Sequence, residues 1–146
     1  MKFVEVSSTT SREVLRQLAE VESRSFSTYE SLGERIANEA EKPGHVLLVA
    51  VDGESVCGYV LFSSNSVAGR IVKVAVDPSK RRQGVGRSLM QEAIGRLHRS
   101  MSVSLHVSVK RSAALRLYQS LGFDIQETRQ DYYQLGDHAY YMELQL

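Results

Sequence analysis

A glycine-rich stretch at residues 81–90, RRQGVGRSLM, carries the strongest chemical signal in the sequence. Its two glycines stand directly before apolar residues at helical spacing, which predicts a helix that begins with unpaired backbone amides. Such amides, together with the positive end of the helix dipole, bind phosphate groups. The stretch therefore predicts a site for a polyanion such as a pyrophosphate, surrounded by four basic side chains: Lys80, Arg81, Arg82 and Arg87.

Two well-known phosphate-binding motifs do not fit this spacing. A Walker P-loop requires Gly-Lys-Ser/Thr, whereas arginine follows the second glycine here. The dinucleotide fingerprint requires a third glycine, where this chain has Leu89, and an acid about 20 residues further on, where residues 104–106 contain none. The pattern that remains is Arg/Gln-x-x-Gly-x-Gly/Ala after a strand, filled by Arg81, Gly84 and Gly86. Taken alone, it also fits a basic turn that caps a helix.

This pattern is the pyrophosphate loop of the GCN5-related N-acetyltransferases, which the sequence resembles. The stretches VAVDPSKRRQGVGRSLM and LHVSVKRSAALRLYQSLGFDIQETRQDYYQLGDHAYYM look like the protein N-terminal acetyltransferases, meaning the RimI-like enzymes and the catalytic subunit of the NatA complex. Detailed likeness covers roughly residues 71–143, and the first 70 residues match only in the order of elements. LYQSLGF and the tyrosine pair in DYY are the specific parts, because within this resemblance the pair implies protein N-terminal acetylation rather than acetylation of small amines.

The resemblance implies an α+β fold with acetyl-CoA as cofactor and no metal. A mixed, mostly antiparallel sheet would splay open between its fourth and fifth strands, with four flanking helices. Backbone groups of Val74, Ala75 and Val76 would pair with the pantetheine arm. Arg111 stands where relatives carry a CoA-contacting asparagine, so its role stays open between a CoA phosphate and solvent. The amides of Arg82 through Arg87 would hold the pyrophosphate, and the cofactor-binding residues of this stretch would be Arg81, Arg82, Gln83, Gly84, Val85, Gly86, Arg87 and Ser88.

Acetyl transfer to an amine requires that the ammonium group first lose its proton. Because a free α-amino group has a pKa of about 8, a base that titrates near 6.5 would suit neutral pH. The resemblance implies His106 as that base, with Glu34 as the rival. A histidine on the polar face of a strand and a solvated helix carboxylate are the alternative interpretations. Tyr118 would protonate the leaving CoA thiolate, or it is a core aromatic residue.

The substrate side is also predicted from the resemblance. Tyr132 and Tyr133 would line the entrance for an extended peptide, although a core or edge-strand aromatic pair is the alternative. Phe26, Tyr29 and Glu30 would form the opposite wall of the groove.

The residues that carry this chemistry must be positioned by elements that the patterning predicts. Apolar residues in 11–26 recur at helical spacing behind the candidate cap Ser11. Asp52 and Gly53 suit the turn of a hairpin. The predicted strands are 2–6, 45–51, 55–64, 69–78, 102–109 and two in 123–146 around residues 136–137; the predicted helices are 11–26, 29–41, 84–100 and 112–121, the last closed by Gly122.

Composition bounds the remaining functions. The length of 146 residues predicts a single domain. The net charge of +1 is too small to attract nucleic acid or a membrane through the overall electrostatic field of the protein. Lone Cys57, in an apolar run, predicts a buried thiol rather than a nucleophile, which fits a cytoplasmic location. Protein or peptide N-termini, including ribosomal proteins and nascent chains, are the expected substrates. An auxiliary subunit or a homodimer stays open.

Two alternative functions stay open at this stage. One is an acetyltransferase of the same fold that modifies a small amine or a lysine side chain. The other is a protein that binds CoA or docks to a partner without catalysis. Nucleic-acid binding through the short basic patch is weakly supported, since the protein is nearly neutral and the patch lacks interleaved aromatic residues.

Overall fold

A computed structural model describes residues 1–146 and contains one seven-stranded sheet. The strands lie in the order β1-β2-β3-β4-β5-β7-β6, and every neighbouring pair is antiparallel except β4 and β5, which are parallel. This confirms the predicted mixed, mostly antiparallel sheet. The strands are β1 Lys2–Glu5, β2 His45–Asp52, β3 Ser55–Ser64, β4 Ala68–Val76, β5 Ser102–Ser108, β6 Asp124–Gln134 and β7 Asp137–Gln145.

Helices cover both faces of the sheet, which explains why the central strands are buried on both sides. On one face lie α1 (Arg12–Ser25) and a 3₁₀ helix (Gly33–Glu41), and on the other lie α2 (Val85–Arg96) and α3 (Ser112–Ser120). The four predicted flanking helices are therefore present. The Ser11 hydroxyl accepts a hydrogen bond from the Val14 amide at 3.2 Å and caps α1 as predicted. None of the helices combines the length and the hydrophobicity that a membrane-spanning helix requires.

Several predicted boundaries are wrong. The second helix begins at Gly33 rather than Tyr29, because Leu32 precedes it as a cap and Gly33 adopts a φ of +54°. The central helix ends at Arg96, well before Ser100. Val109 lies beyond the end of β5, which is one residue shorter than predicted.

The parallel pairing of β4 and β5 is short. Residues 68–71 of β4 pair with residues 102–105 of β5, and no pairing continues toward the C-terminal ends of the two strands. The strands therefore diverge after Ile71, and this confirms the splay predicted between the fourth and fifth strands.

Candidate active site

A cavity of about 790 Å³ opens where β4 and β5 separate. Its volume is within the range typical of sites for small molecules and cofactors. Its walls come from the end of α1, the C-terminal half of β4, the loop into α2, and α3. Of the predicted cofactor residues, Gln83 and Ser88 do not line it, and these do: Val74, Ala75, Val76, Arg81, Arg82, Gly84, Val85, Gly86, Arg87, Arg111 and Tyr118.

The loop into α2 presents a row of free amides to this cavity. No backbone amide from Arg81 to Arg87 donates a hydrogen bond within the protein. Left-handed backbone at Arg82 (φ 64°) and Gly84 (φ 78°) turns the chain sharply before the helix. Successive amides in such a turn form a concave site for an anion. The Ser88 amide is not part of this row, because it donates to the Gly84 carbonyl at 3.0 Å.

The side chains around the cavity make it strongly cationic. No acidic residue lines it, whereas six basic residues do: Lys80, Arg81, Arg82, Arg87, Lys110 and Arg111. Arg87 Nη2 donates to Ser120 Oγ at 2.5 Å, which ties the first turn of α2 to the end of α3. The region therefore suits a ligand with several negative charges.

Tyr118 lies on α3 with 6% of its surface exposed and lines the cavity. Burial raises the pKa of its phenol, and the nearby Arg111 guanidinium opposes this rise only in part. Its ring also packs edge to face on Phe123, with centroids 6.2 Å apart. Tyr118 is therefore a buried aromatic residue that carries its proton at neutral pH, and its role as the acid for the CoA thiolate stays a prediction.

His106 lies on β5 outside the cavity lining and packs against aromatic and basic groups. Its ring stacks on Tyr132 with centroids 4.3 Å apart, and its Nε2 lies 2.8 Å from Arg129 Nη1. Because a guanidinium only donates, Nε2 must accept, and a neutral His106 carries its proton on Nδ1. That Nδ1 is buried without a partner. Burial, followed by the charge of Arg129, lowers the pKa of His106 to about 4, well below the 6.5 that the sequence led us to expect.

The segment after α1 is fixed by basic side chains from two other elements. Lys73 Nζ lies 4.3 Å from the ring centroid of Phe26 and donates to the Glu30 carbonyl at 2.8 Å. The Arg111 guanidinium lies 4.6 Å from the same ring and donates to the Ser25 carbonyl at 2.9 Å. Arg111 therefore joins α3 to α1 across the cavity rather than extending into solvent.

Tyr29 connects this segment to the start of β7. Its hydroxyl donates to Asp137 Oδ2 at 2.5 Å, while Ser108 Oγ donates to Asp137 Oδ1 at 2.8 Å. The bond from Tyr29 lowers the pKa of Asp137, and the same bond raises the pKa of Tyr29. Asp137 was predicted only as a turn residue. No local pattern revealed its role, because its partners are distant in sequence.

The predicted tyrosine pair lies in an irregular part of β6. The register between β6 and β7 shifts between Arg129 and Gln134, so residues 130–133 bulge out of the ladder. Tyr132 and Tyr133 pack edge to face there, with centroids 4.9 Å apart. Burial raises the pKa of the Tyr133 phenol. The bulge brings the pair to the side of the site where His106 lies.

Glu34, the rival base, is exposed near the start of the 3₁₀ helix and does not line the cavity. Side chains that the sequence did not single out instead carry much of the polar structure near the site. They are Ser25, Glu22, Lys73 and Arg129, and their signal is tertiary: burial of a polar group or a partner far along the chain. No group of three or more His, Cys, Asp or Glu side chains could hold a metal ion.

Comparison with known proteins defines the class. The model of the acetyltransferase (GNAT) family matches residues 13–123, and the chain therefore belongs to this family. It is 39% identical over 69 residues to the ribosomal protein bS18-alanine N-acetyltransferase of Escherichia coli K12, a match that covers 46% of this chain and 47% of that protein. It is 36% identical over 110 residues to the N-terminal acetyltransferase A complex catalytic subunit of Arabidopsis thaliana, with 69% and 57% covered.

A solved structure shows the same fold over the full length. The NatC complex bound to Gag peptide and CoA aligns with a TM-score of 0.78 at 21% identity, over 100% of this chain and 99% of that chain. In sequence, the chain spans about half the length of the curated relatives it matches. The resemblance to protein N-terminal acetyltransferases is thus confirmed.

Proposed function

We propose that this chain transfers an acetyl group from acetyl-CoA to the α-amino group of a protein or peptide N-terminus, by direct attack in a ternary complex. The observation that carries the proposal is the row of unpaired amides from Arg81 to Arg87 at the mouth of a cationic cavity between two diverging strands. The named relatives modify protein N-termini, and this favours a peptide amine as the acceptor.

The residues present fit coenzyme A. The amides of Arg81 to Arg87 would bind its diphosphate, and the unpaired edge of β4 at Val74 to Val76 would bind its pantetheine arm. Acetyl-CoA, when bound, would supply an activated thioester whose acetyl carbon is open to attack by the substrate amine, with the CoA thiolate as the leaving group. Tyr118 would hold its proton ready for the departing sulfur, since its phenol is protonated at neutral pH.

Proton removal from the substrate ammonium is assigned to His106, with Glu34 as the alternative base. In the geometry described above the Nε2 lone pair of His106 is occupied by Arg129. Arg129 would have to move away before the ring could accept a proton. A loss of rate at every pH in Glu34→Ala, with His106→Ala unaffected, would assign the base to Glu34 instead.

The peptide groove of the proposal has two walls. Phe26, Tyr29 and Glu30 form one wall, held by Lys73, Arg111 and Asp137. Tyr132 and Tyr133 form the other, on the bulge of β6. Tyrosine rings beside a peptide entrance can flank the first side chain of the substrate and offer a hydroxyl to its backbone.

Several predictions from the sequence belong to this proposal. They are a single domain over residues 1–146, a cytoplasmic location, ribosomal proteins or nascent chains as substrates, and an auxiliary subunit or a homodimer as the working assembly. None of them changes the chemistry proposed for the cavity.

Mass spectrometry of a peptide library incubated with acetyl-CoA tests the function. We expect acetyl groups on free α-amines, and none on N-terminally blocked peptides that retain a lysine. Tyr118→Phe is expected to lower kcat by about 100-fold or more without changing the affinity for CoA. Acetylation of only the blocked lysine peptides, or of small amines alone, would favour the other acetyltransferase functions. Binding of acetyl-CoA without turnover on any acceptor would favour a binding protein.

A further inference from the structure

Three exposed apolar side chains form one row at the end of the sheet that lies away from the cavity. The Met101 amide donates to the Val67 carbonyl at 2.8 Å, and the Leu146 amide donates to the Met101 carbonyl at 3.0 Å. The three residues thus extend the pairing of β4 with β5 and of β5 with β7 by one residue. Their side chains are 53%, 70% and 52% exposed in the order 67, 101 and 146. We call these three residues the basal row.

The basal row continues the apolar face of the sheet that α2 covers elsewhere. Because side chains alternate between the two faces of a strand, the row shares its face with every second row of β4, β5 and β7. In the next such row Gly69 lies under Leu97, which follows the end of α2 at Arg96. The row after that is fully covered by the core and consists of Ile71, Leu105 and Met142. The basal row is therefore the part of this face that extends beyond its helix.

A second cavity, of about 280 Å³, opens beside the basal row and is cationic. It is lined by residues 64–66, 96, 97, 99 and 100, so both segments of its wall run directly into the row. No acidic residue lines it. Arg96 is paired with Glu5 and Glu92, whereas Arg99 makes no ion pair and no side-chain hydrogen bond. An unpaired guanidinium in such a place complements a carboxylate.

We propose that the basal row and Arg99 together bind a short segment of a partner protein that carries apolar side chains beside a carboxylate. The charges favour such a partner over a second copy of this chain, because Glu5 and Glu92 are engaged by Arg96 and leave no carboxylate here for the Arg99 of another copy. The apolar row favours a protein over a nucleic acid, whose backbone presents charge without apolar side chains.

A partner on this surface would leave the proposed active site open. Val67 precedes β4, and Val74, on the same strand, lines the cavity where β4 and β5 diverge. The rise of a strand places the two residues roughly 23 Å apart. The inference therefore goes beyond the proposed function and does not depend on it.

An array of short, N-terminally acetylated peptides tests the surface. The peptides combine leucine with glutamate, glutamine or lysine at varied spacing, and their blocked N-termini remove the amine that the proposed function would use. We expect glutamate peptides to bind and to shift the NMR signals of the Met101 methyl group and of residues 64–67. Glutamine peptides should bind about fivefold more weakly, because they lose an ion pair with Arg99, and lysine peptides should not bind.

Three variants identify the groups responsible. Arg99→Glu should reverse the preference, so that lysine peptides bind and glutamate peptides do not. Met101→Ser should weaken the binding of glutamate and glutamine peptides alike. Arg116→Glu is the matched control, since Arg116 is an exposed arginine of α3 and its replacement changes the net charge equally. It should keep the preference of the parent. Because all three side chains are exposed, stability and CoA affinity should equal those of the parent.

Several outcomes would overturn this inference. They are the absence of binding by any peptide, equal binding of glutamate and lysine peptides, and shifts confined to other parts of the protein. Dimers of the parent that Met101→Ser abolishes would assign the row to a second copy instead. A short RNA that shifts the same signals when no peptide does would assign the surface to nucleic acid. Loss of peptide binding here leaves the proposed acetyl transfer intact, and failure of acetyl transfer leaves this surface intact.

Discussion

The surroundings of His106 keep its imidazole neutral. Burial removes water from the ring, and Arg129 adds a positive charge beside Nε2, so both effects disfavour the protonated form. A pKa of about 4 lies far below the value of about 8 for a free α-amine. Proton transfer from substrate to His106 is therefore uphill unless Arg129 moves away and the pKa rises. The sequence could indicate the polar face of β5, but the partner that sets this pKa lies on β6.

We predict a pH dependence of stability that belongs to His106. Its folded pKa of about 4 lies below its unfolded value of about 6.5, so the unfolded chain binds more protons between these values. This contribution to stability is complete above about pH 6.5 and is lost as the pH falls toward 4. His106→Gln should flatten the unfolding free energy between pH 4 and 6.5, as measured by urea denaturation.

Two further measurements isolate the cause. Exposed His98 provides the control, and His98→Gln should leave the slope of the unfolding free energy against pH as it is in the parent. Arg129→Gln should raise the pKa of His106 in an NMR titration of the ring. A His106 ring that titrates near 6.5 in the parent protein would contradict the prediction and would restore the base expected from the sequence.

The phosphate loop shows which elements the sequence could predict. Its glycines, its arginines and the apolar spacing of α2 are local features, so the motif and the helix were both recognisable in the sequence. The predicted start of the helix, Gly84, lies one residue before the observed start. The bulge that carries Tyr132 depends on the register between β6 and β7, which only tertiary contacts set. The late start of the 3₁₀ helix at Gly33 was missed because a conformation with positive φ interrupts an otherwise helical pattern.

Replacement of two glycines of α2, one at its N-cap and one in its interior, is expected to have opposite effects on stability. Gly84 has a φ of 78° with no atom within 4 Å of an added Cβ, so Gly84→Ala adds only backbone strain. We expect a loss of about 1 kcal/mol in unfolding free energy and weaker CoA binding, because the amides must tilt to relieve the strain. Gly95 lies inside α2 with equally open space and no positive φ. Gly95→Ala should raise stability by about 0.5–1 kcal/mol without changing CoA affinity.

Denaturant unfolding measures the stability of these two variants, and calorimetry measures their affinity for CoA. The comparison is sharp because both replacements add one methyl group to the same helical region. Equal stability changes in the two variants would mean that the left-handed conformation at Gly84 is not required.

At the scale of the whole molecule, the sheet separates two hydrophobic cores. One core lies under α2 and α3, and the other lies under α1 and the 3₁₀ helix. The second core contains a charged group: Glu22 is fully buried, accepts from Tyr59 Oη at 2.9 Å and is paired with Lys73 Nζ at 2.5 Å. The sequence placed Glu22 on an amphipathic helix and gave no sign that it points inward.

This buried pair connects the core to the proposed peptide groove. Lys73 reaches from β4 to Glu22 on α1 and also holds the Glu30 carbonyl and the Phe26 ring. Lys73→Met leaves the Glu22 carboxylate buried without its cation, and we expect a loss of about 3 kcal/mol in unfolding free energy. Adding Glu22→Gln removes that stranded charge, so the double variant should be destabilised by less than the sum of the two single changes.

The same variants separate a role in folding from a role in the groove. Because Lys73 anchors the segment from Phe26 to Glu30, the folded double variant should show a raised KM for peptide while its affinity for CoA stays that of the parent. Glu22→Gln alone keeps Lys73 and its bonds to this segment, so its peptide KM should change less. Additive losses of stability would mean that the two charges do not act as a pair. An unchanged peptide KM in the double variant would show that the segment keeps its position without Lys73.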